Sequence, residues 1–254
     1  MSDLAVETWG TGTPVLLVHG SLSSGADEWE AQRPLADEGF RLLVLDRRGY
    51  GDSPPAEGED FLRDADDLCA LLDELGDAGP AHLVGHSYGG LSAMVAASRR
   101  PDTVRSLVVL EPPATGLAQH DPAARTLVDG MRRLWDTDLP DAEWIERFLR
   151  TVGSDPADLP PGVLEAALPL VPLLRRSRPP WTADLPLAEL AAAGCARLVV
   201  SGGHSPAFDA MCDDLAERVG AARAEVAGAG HEIQFAPGIN QVLLQFWRGP
   251  AAAP

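Results

Sequence analysis

The stretch that decides the fold is residues 81–90, which read AHLVGHSYGG. Its apolar start predicts a short buried strand, and the small residues after position 88 predict the beginning of a helix. Between them lies the pattern Gly-x-Ser-x-Gly, with Ser87 at its centre. In that context a sharp strand-to-helix turn projects the serine hydroxyl out of the sheet, and the glycines at 85 and 89 leave room for it. Taken alone, the pattern is also compatible with an ordinary glycine-rich turn before a helix.

Short apolar runs alternate with helical patterns along much of the remaining chain. Further buried strands are predicted at 15–18, 42–45, 104–110, 198–200 and 223–226. Helices are predicted at 60–75, 88–99, 208–219 and 239–247. Continuous apolar runs are typical of strands covered on both faces. The pattern therefore predicts an α/β fold, with a mostly parallel sheet flanked by helices.

The segment 114–193 interrupts this alternation. It contains three tryptophans and many leucines and prolines, but no convincing strand. We therefore expect residues 114–193 to form a helical cap, inserted after the strand that follows the helix beginning near Ser87. Residues 1–113 and 194–254 would form the core beneath it.

The composition excludes several kinds of chemistry and partner. The 254 residues include 38 acidic and 20 basic side chains, which gives a net charge of −18. Such a charge repels nucleic acids and anionic membranes, so we expect a small-molecule substrate. All 20 of these basic residues are arginine, which excludes a lysine Schiff base, covalent pyridoxal phosphate and a P-loop lysine. The six histidines show no metal-ligand spacing. No metal and no cofactor are expected.

Signals for export or membrane insertion are not evident in the sequence. The first residues, MSDL, lack the basic and apolar regions of a signal peptide. No apolar run approaches the roughly 18 residues that a membrane span needs. These observations predict a soluble cytoplasmic protein.

Three further motifs follow predicted strands. His19-Gly20-Ser21 follows the first strand, DRRGYGDS at 46–53 follows the second, and Gly230-His231 follows the last. Together with Ser87, these motifs resemble the α/β-hydrolase superfamily over roughly residues 4–113 and 194–248.

The resemblance implies the order serine, acid and histidine along the chain. By similarity, Ser87 is the nucleophile and His231 the general base, since an imidazole must take the proton of a weakly nucleophilic hydroxyl. The backbone N–H groups of Tyr88 and Ser21 are the implied oxyanion donors, with Leu22 as a near alternative.

The catalytic acid departs from the family pattern. Most α/β-hydrolases place an aspartate after the strand that ends here near Gly202, where this sequence has Ser205. Glu111 ends the 104–110 strand, which we expect beside the nucleophile strand, and adjacent strands are only about 4.8 Å apart. Some members of the superfamily carry their acid at this position, so we predict Glu111 as the acid. Asp209 is the alternative, in which case Glu111 would merely end the strand or pair with an arginine.

The cap is expected to cover the site, with a substrate pocket between cap and core. Candidates for contact with the substrate are Trp135, Trp144, Phe148, Trp181 and His204, although the aromatic residues could equally pack within the cap. The run RRSR at 175–178 is either solvated or placed to meet an anionic substrate.

The resemblance implies a serine hydrolase that cleaves a small or medium, mainly apolar ester, lactone or thioester through an acyl-serine intermediate. The same site also serves C–C bond hydrolysis, perhydrolysis and lyase chemistry, and nothing in the motif separates these reactions. A non-catalytic sensor of a small molecule is the alternative from another class, and Ser205 favours it.

Overall fold

The computed structural model describes residues 2–249, except for the side chains of Asp77 and Asp158. One seven-stranded sheet has the order β1-β3-β2-β4-β5-β6-β7, in which β1 is antiparallel to β3 and all other neighbours are parallel. The strands are β1 Val6–Trp9, β2 Thr13–Val18, β3 Phe40–Leu45, β4 Ala81–His86, β5 Val104–Leu110, β6 Ala196–Ser201 and β7 Ala222–Glu225. The predicted α/β class is confirmed.

Helices cover both faces of this sheet. They are α1 Gly25–Trp29, α2 Phe61–Leu75, α3 Ser87–Arg99, α4 Pro122–Trp135, α5 Asp141–Thr151, α6 Val163–Ala167, α7 Val171–Arg175, α8 Leu187–Ala192, α9 Pro206–Val219 and α10 Ile239–Arg248. Short 3₁₀ segments lie at Glu30–Glu38, Gly76–Ala78, Pro101–Thr103, Pro156–Asp158, Leu168–Leu170, Pro180–Thr182 and Ile233–Phe235. Within residues 2–249, none of the helices has the length and apolar character required to cross a bilayer.

Side chains alternate between two apolar clusters, one on each face of the sheet. In β2, Leu16 and Val18 contribute to the cluster that includes residues of α2 and α3, and Val15 and Leu17 contribute to the opposite one. All four side chains are almost fully buried. This double coverage is the reason that the strands read as continuous apolar runs rather than as alternating patterns.

The strand missing from the sequence prediction is β1. Its residues Glu7 and Thr8 are exposed, and it pairs only with β3 at the edge of the sheet. A short edge strand with exposed polar residues gives little apolar signal. The six predicted strands are all present, several with ends shifted by one or two residues.

The segment between β5 and β6 contains helices α4 to α8 and, among the described residues, no strand. Its helix α4 packs on α9, where Leu127 and Met131 join Phe208 and Met211 in one apolar cluster. The last helix of the segment, α8, instead places Leu190 in the core cluster of the sheet. The division into a core of 1–113 and 194–254 and a cap of 114–193 remains a prediction, with α8 packed on the core side.

The parallel strands bring distant parts of the chain to one edge of the sheet. Loops that follow the carboxyl ends of β2, β4, β5, β6 and β7 carry Ser21, Ser87, Glu111, His204 and His231. Ligand sites in open parallel sheets form at this edge. The candidate site lies at this edge.

Candidate active site

Ser87 lies on a strained turn between β4 and α3. Its φ of 47° is in the left-handed region, which residues other than glycine rarely adopt. A Cβ added to Gly85 would lie 2.7 Å from the carbonyl oxygen of Gly89, and one added to Gly89 would collide with the carbonyl oxygen of His19. The turn therefore requires glycine at both positions that flank the serine pattern.

The imidazole of His231 connects Ser87 with Glu111. Its Nε2 lies 3.0 Å from Oγ of Ser87, and its Nδ1 lies 2.7 Å from Oε2 of Glu111. The ring of Phe208 packs against the imidazole at 4.7 Å between centroids. Because Nδ1 donates to the carboxylate, Nε2 has its lone pair free to accept the serine proton.

Glu111 is fully buried and follows β5 directly, with a φ of 41°. Its Oε1 accepts a hydrogen bond of 2.6 Å from the backbone N–H of Gly202. Burial alone would raise the pKa of this carboxyl group, but the contacts with His204 and His231 and the Gly202 N–H lower it to about 2. The carboxylate is therefore ionised throughout the physiological range.

His204 contacts the same carboxylate instead of lining the cavity. Its Nδ1 lies 3.3 Å from Oε1 of Glu111, and its Nε2 is 3.1 Å from the carbonyl oxygen of Val152. Burial tends to lower the pKa of His204, but the interaction with Glu111 outweighs it and the pKa is raised. The expected contact with substrate is thus replaced by a contact with the buried acid.

The donor atoms of Glu111, His204 and His231 all lie within 4.8 Å of one another, which is close enough for three ligands of one metal ion. Both imidazoles place Nδ1 close to the carboxylate, at 2.7 Å for His231 and 3.3 Å for His204. The cluster is therefore arranged as two histidines around one shared anion.

The alternative acid, Asp209, points elsewhere. Its Oδ1 accepts a hydrogen bond of 2.5 Å from Ser201 and lies 3.6 Å from the Arg223 guanidinium. Ser205 is the N-terminal flanking residue of α9. The structure brings Glu111, and not Asp209, into contact with His231.

The predicted oxyanion donors lie on two sides of Ser87. Tyr88 is in the first turn of α3, where backbone N–H groups have no partner within the helix. The loop that carries Ser21 is also close to the serine, since a Cβ added to Gly20 would lie 3.2 Å from Cβ of Ser87. The N–H of Leu22, in contrast, donates to the Tyr50 hydroxyl at 3.3 Å. Leu22 is therefore engaged, and Ser21 and Tyr88 remain the two candidates.

A buried ion pair, absent from the sequence analysis, lies beneath Ser87. Glu28 accepts from Nδ1 of His86 at 2.9 Å and from the Gly20 N–H at 2.7 Å. Nε2 of His86 donates to the backbone carbonyl of His231 at 3.0 Å. Burial would lower the pKa of His86, but the Glu28 charge outweighs it and raises the pKa to about 9. Glu28 and His86 are 58 residues apart, and no sequence pattern pairs them.

Arg47 supports the loop after β2 from below. Its guanidinium donates to the carbonyl oxygens of His19 at 2.9 Å and Gly20 at 2.7 Å. Two buried carboxylates, Glu59 at 2.6 Å and Asp64 at 2.8 Å, neutralise its charge. The position of the loop that carries Ser21 thus depends on a buried polar network that apolar periodicity cannot indicate.

A small cavity of about 30 Å³ lies above Ser87 and His231. Its walls are mainly apolar and include Leu127, Met131, Trp135, Phe148, Trp181 and Phe208. The expected positions Trp135, Phe148 and Trp181 thus line the cavity. Trp144 does not, because it is fully buried behind Trp135 and Phe148, with ring centroids 4.9 and 5.5 Å away.

The comparison with known families agrees with this geometry. A sequence model described as the alpha/beta hydrolase fold matches residues 13–157, more than half of the chain. The chain belongs to the α/β-hydrolase fold family. The matched range includes Ser21, Ser87 and Glu111, and the described structure adds His231 from beyond it.

Similar proteins of the α/β-hydrolase family include several named enzymes. A lipase of Mycobacterium tuberculosis, LipV, is 36% identical over 168 residues, which cover 65% of this chain and 60% of the lipase. A bifunctional esterase/perhydrolase of Acinetobacter calcoaceticus is 35% identical over 126 residues, 47% of this chain and 45% of that protein. The chain thus spans less than two thirds of the length of these relatives.

Solved structures of the α/β-hydrolase family match over nearly the whole chain. A thermophilic esterase from Thermogutta terrifontis has a TM-score of 0.70 at 26% identity, covering 96% of this chain and 93% of that one. A structure described as a putative epoxide hydrolase from Pseudomonas aeruginosa has a TM-score of 0.75 at 21% identity, covering 96% and 91%. The second likeness concerns the fold alone.

Proposed function

We propose that this protein is a serine hydrolase that cleaves a carboxylic ester, lactone or thioester through an acyl-serine intermediate. The observation that carries the proposal is the continuous chain of contacts from Oγ of Ser87 to His231, at 3.0 Å, and from His231 to Glu111, at 2.7 Å. This is the arrangement that a weakly nucleophilic hydroxyl needs in order to attack a carbonyl. The relatives named as a lipase and an esterase/perhydrolase support the same class of reaction.

In the proposed mechanism, Nε2 of His231 takes the proton as Oγ of Ser87 forms a bond to the substrate carbonyl carbon. The carbonyl oxygen becomes an anion that the backbone N–H groups of Tyr88 and Ser21 stabilise. His231 then protonates the leaving alcohol or thiol as its bond to carbon breaks. A water molecule then attacks the acyl carbon and gives up a proton to His231. As the bond from carbon to Oγ of Ser87 breaks and the acid is released, His231 returns that proton to Oγ. Glu111 holds the imidazole in the required orientation and stabilises its positive charge.

The cavity walls support a substrate of modest size with an apolar acyl or alcohol part. A small-molecule substrate is proposed in preference to nucleic acid or a membrane surface, which the net charge of −18 supports. The proposed helical cap of 114–193 supplies Trp135, Phe148 and Trp181 to the walls. With an open volume of about 30 Å³, the cavity is smaller than an ester, so the proposal includes shifts of side chains that line it when the substrate enters.

The alternative function, a non-catalytic sensor of a small molecule, rested on Ser205, which occupies the position where most α/β-hydrolases have the catalytic aspartate. The contact between Glu111 and His231 speaks against it, because a buried carboxylate on the imidazole has a clear use in catalysis. C–C bond hydrolysis, perhydrolysis and lyase chemistry use the same catalytic residues, and no contact within residues 2–249 favours one of them.

Covalent labelling tests the proposal. The protein is treated with a fluorophosphonate, and the adduct is located by mass spectrometry of peptides. We expect one adduct on Ser87, none in the Ser87→Ala variant, and a burst of p-nitrophenol with p-nitrophenyl acetate. A folded protein that neither labels at Ser87 nor cleaves any of a panel of short esters, lactones and thioesters would overturn the proposal.

A further inference from the structure

Three residues that line the apolar cavity carry a polar group without a protein partner. Thr115, Ser177 and Trp135 all line it. Among the residues that the structure describes, Oγ1 of Thr115, Oγ of Ser177 and Nε1 of Trp135 are buried and make no hydrogen bond. Thr115 is 4% exposed and Ser177 is 7% exposed. Buried polar groups are nearly always hydrogen-bonded, so three such groups in the walls of one small cavity are available to a ligand that enters it.

The backbones that carry the two hydroxyl groups are held in place. The N–H of Thr115 donates to the Pro113 carbonyl at 2.7 Å, and the N–H of Ser177 donates to the Leu174 carbonyl at 2.9 Å. The next carbonyl along the chain, that of Arg178, accepts a 2.8 Å hydrogen bond from the Tyr88 hydroxyl. Ser177 is thereby tied to the residue that follows Ser87. The backbones of Thr115 and Ser177 are therefore fixed in the wall of the cavity next to the serine.

The charge of the cavity restricts the kind of group that fits. Of the residues described here that line the cavity, none is an arginine, an aspartate or a glutamate. The three arginines next to Ser177 bind elsewhere: Arg175 pairs with Asp141, Arg176 donates to the Glu57 carbonyl, and Arg178 pairs with Asp60. A carboxylate or phosphate in the cavity would therefore lack a counterion and be strongly disfavoured. The arginine run is thus not placed to meet an anionic substrate.

The donor chemistry defines the complementary group. An indole N–H can only donate, whereas a hydroxyl group can donate or accept. An uncharged carbonyl oxygen is an acceptor that suits each of the three groups. We propose that the substrate carries, besides the scissile ester, a second and uncharged carbonyl oxygen, which Thr115, Ser177 and Trp135 bind. This assignment rests on the proposed serine hydrolase function and names the substrate class for it.

Matched esters test the assignment. The p-nitrophenyl esters of 4-oxopentanoate and 5-oxohexanoate are compared with those of pentanoate and hexanoate, and each ratio of kcat/KM is divided by the ratio of the uncatalysed rates. In the Thr115→Val/Ser177→Ala variant we expect the keto-to-alkyl ratio of at least one pair to fall about 10-fold or more relative to the wild type. Thr126→Val, an exposed threonine of α4, is the matched control and should keep the wild-type ratio. An unchanged ratio in the double variant for both pairs would overturn the assignment.

An anionic ester tests the charge requirement. The mono-p-nitrophenyl ester of glutarate should be a poorer substrate of the wild type than the 4-oxopentanoate ester. A preference for the glutarate ester would contradict an uncharged second group.

A binding experiment separates this inference from the function on which it rests. In the Ser87→Ala background, cyclohexanone and its isostere methylenecyclohexane are titrated while the tryptophan fluorescence is followed. The ketone-to-alkene affinity ratio should fall about 10-fold or more when Thr115→Val and Ser177→Ala are added. If the Ser87→Ala variant still cleaves esters, the proposed serine mechanism is wrong, but the carbonyl site is not contradicted. If Thr115→Val and Ser177→Ala leave the ketone-to-alkene affinity ratio unchanged, the proposed carbonyl site is wrong, regardless of the results with the esters.

Discussion

Glu111 follows β5, the neighbour of the strand that precedes Ser87, and reaches His231 from there, with Oε2 at 2.7 Å from Nδ1. His86 of β4 and Leu110 of β5 are paired across the two strands, so the residues that follow them leave the sheet at the same level. The carboxylate therefore starts one strand nearer to the serine than a residue after β6 would. Both Ser87 and Glu111 have a positive φ, at 47° and 41°. Two neighbouring strands thus end in strained turns that direct functional side chains at one imidazole.

The strain at Ser87 predicts an effect on stability. Ser87→Gly and Ser87→Ala both remove the hydroxyl group and should both abolish ester turnover. Since only glycine adopts a positive φ without steric cost, we expect Ser87→Gly to be roughly 1 kcal/mol more stable than Ser87→Ala. Urea denaturation of the two variants measures the difference. Equal stabilities would mean that the turn is not strained in solution.

The Glu28–His86 pair predicts a dependence of stability on pH. The pKa of His86 is raised from 6.5 to about 9, so the pair contributes fully below pH 6.5 and its contribution is lost as the pH rises through 9. The advantage of the wild type over Glu28→Gln in free energy of unfolding should therefore decrease by about 3 kcal/mol between those pH values. Urea denaturation at several pH values provides the measurement.

Glu30→Gln is the control for this experiment, because Glu30 is an exposed acid in the adjacent 3₁₀ segment. It should show little effect at any pH. An advantage over Glu28→Gln that stays constant, or that grows with rising pH, would show that His86 is not held in its charged form.

His204 predicts a change in the pH profile of catalysis. Glu111 raises the pKa of His204 and so favours a positive charge 3.3 Å from that carboxylate, which offsets part of the negative charge that Glu111 presents to His231. His204→Phe removes that charge, so we expect the acid limb of kcat/KM to move to higher pH. The exposed His120 supplies the control, and His120→Phe should leave the limb in place. A purely structural role of His204 would lower the rate without moving the limb.

Much of the site could be predicted because local sequence and strand order determine it. The Gly-x-Ser-x-Gly pattern specifies the turn at Ser87, and the pairing of β4 with β5 brings Glu111 close. Central strands such as β2, β4 and β5 are covered on both faces and therefore read as continuous apolar runs. Edge strand β1 carries exposed Glu7 and Thr8, and helix α1 has only five residues, so neither produces a comparable signal.

The remaining features depend on side-chain directions that tertiary packing sets. Trp144 and Phe148 lie one helical turn apart on α5, yet Phe148 lines the cavity and Trp144 is enclosed behind it. The Nδ1 side of His204 faces Glu111 because its Nε2 is held by a hydrogen bond to the carbonyl oxygen of Val152. The Glu28–His86 pair joins two elements that lie far apart in the chain. In each case the deciding partner comes from another part of the fold, which a single sequence does not reveal.

The role of Glu111 is tested most directly by the turnover number of Glu111→Gln with p-nitrophenyl acetate, measured beside that of Asp209→Asn. Loss of the carboxylate that orients the imidazole lowers kcat by about 10⁴-fold in a serine triad. We expect a loss of that order for Glu111→Gln in a folded protein, with Asp209→Asn close to the wild type. A Glu111→Gln variant that retains nearly full kcat, or a large loss confined to Asp209→Asn, would contradict the account.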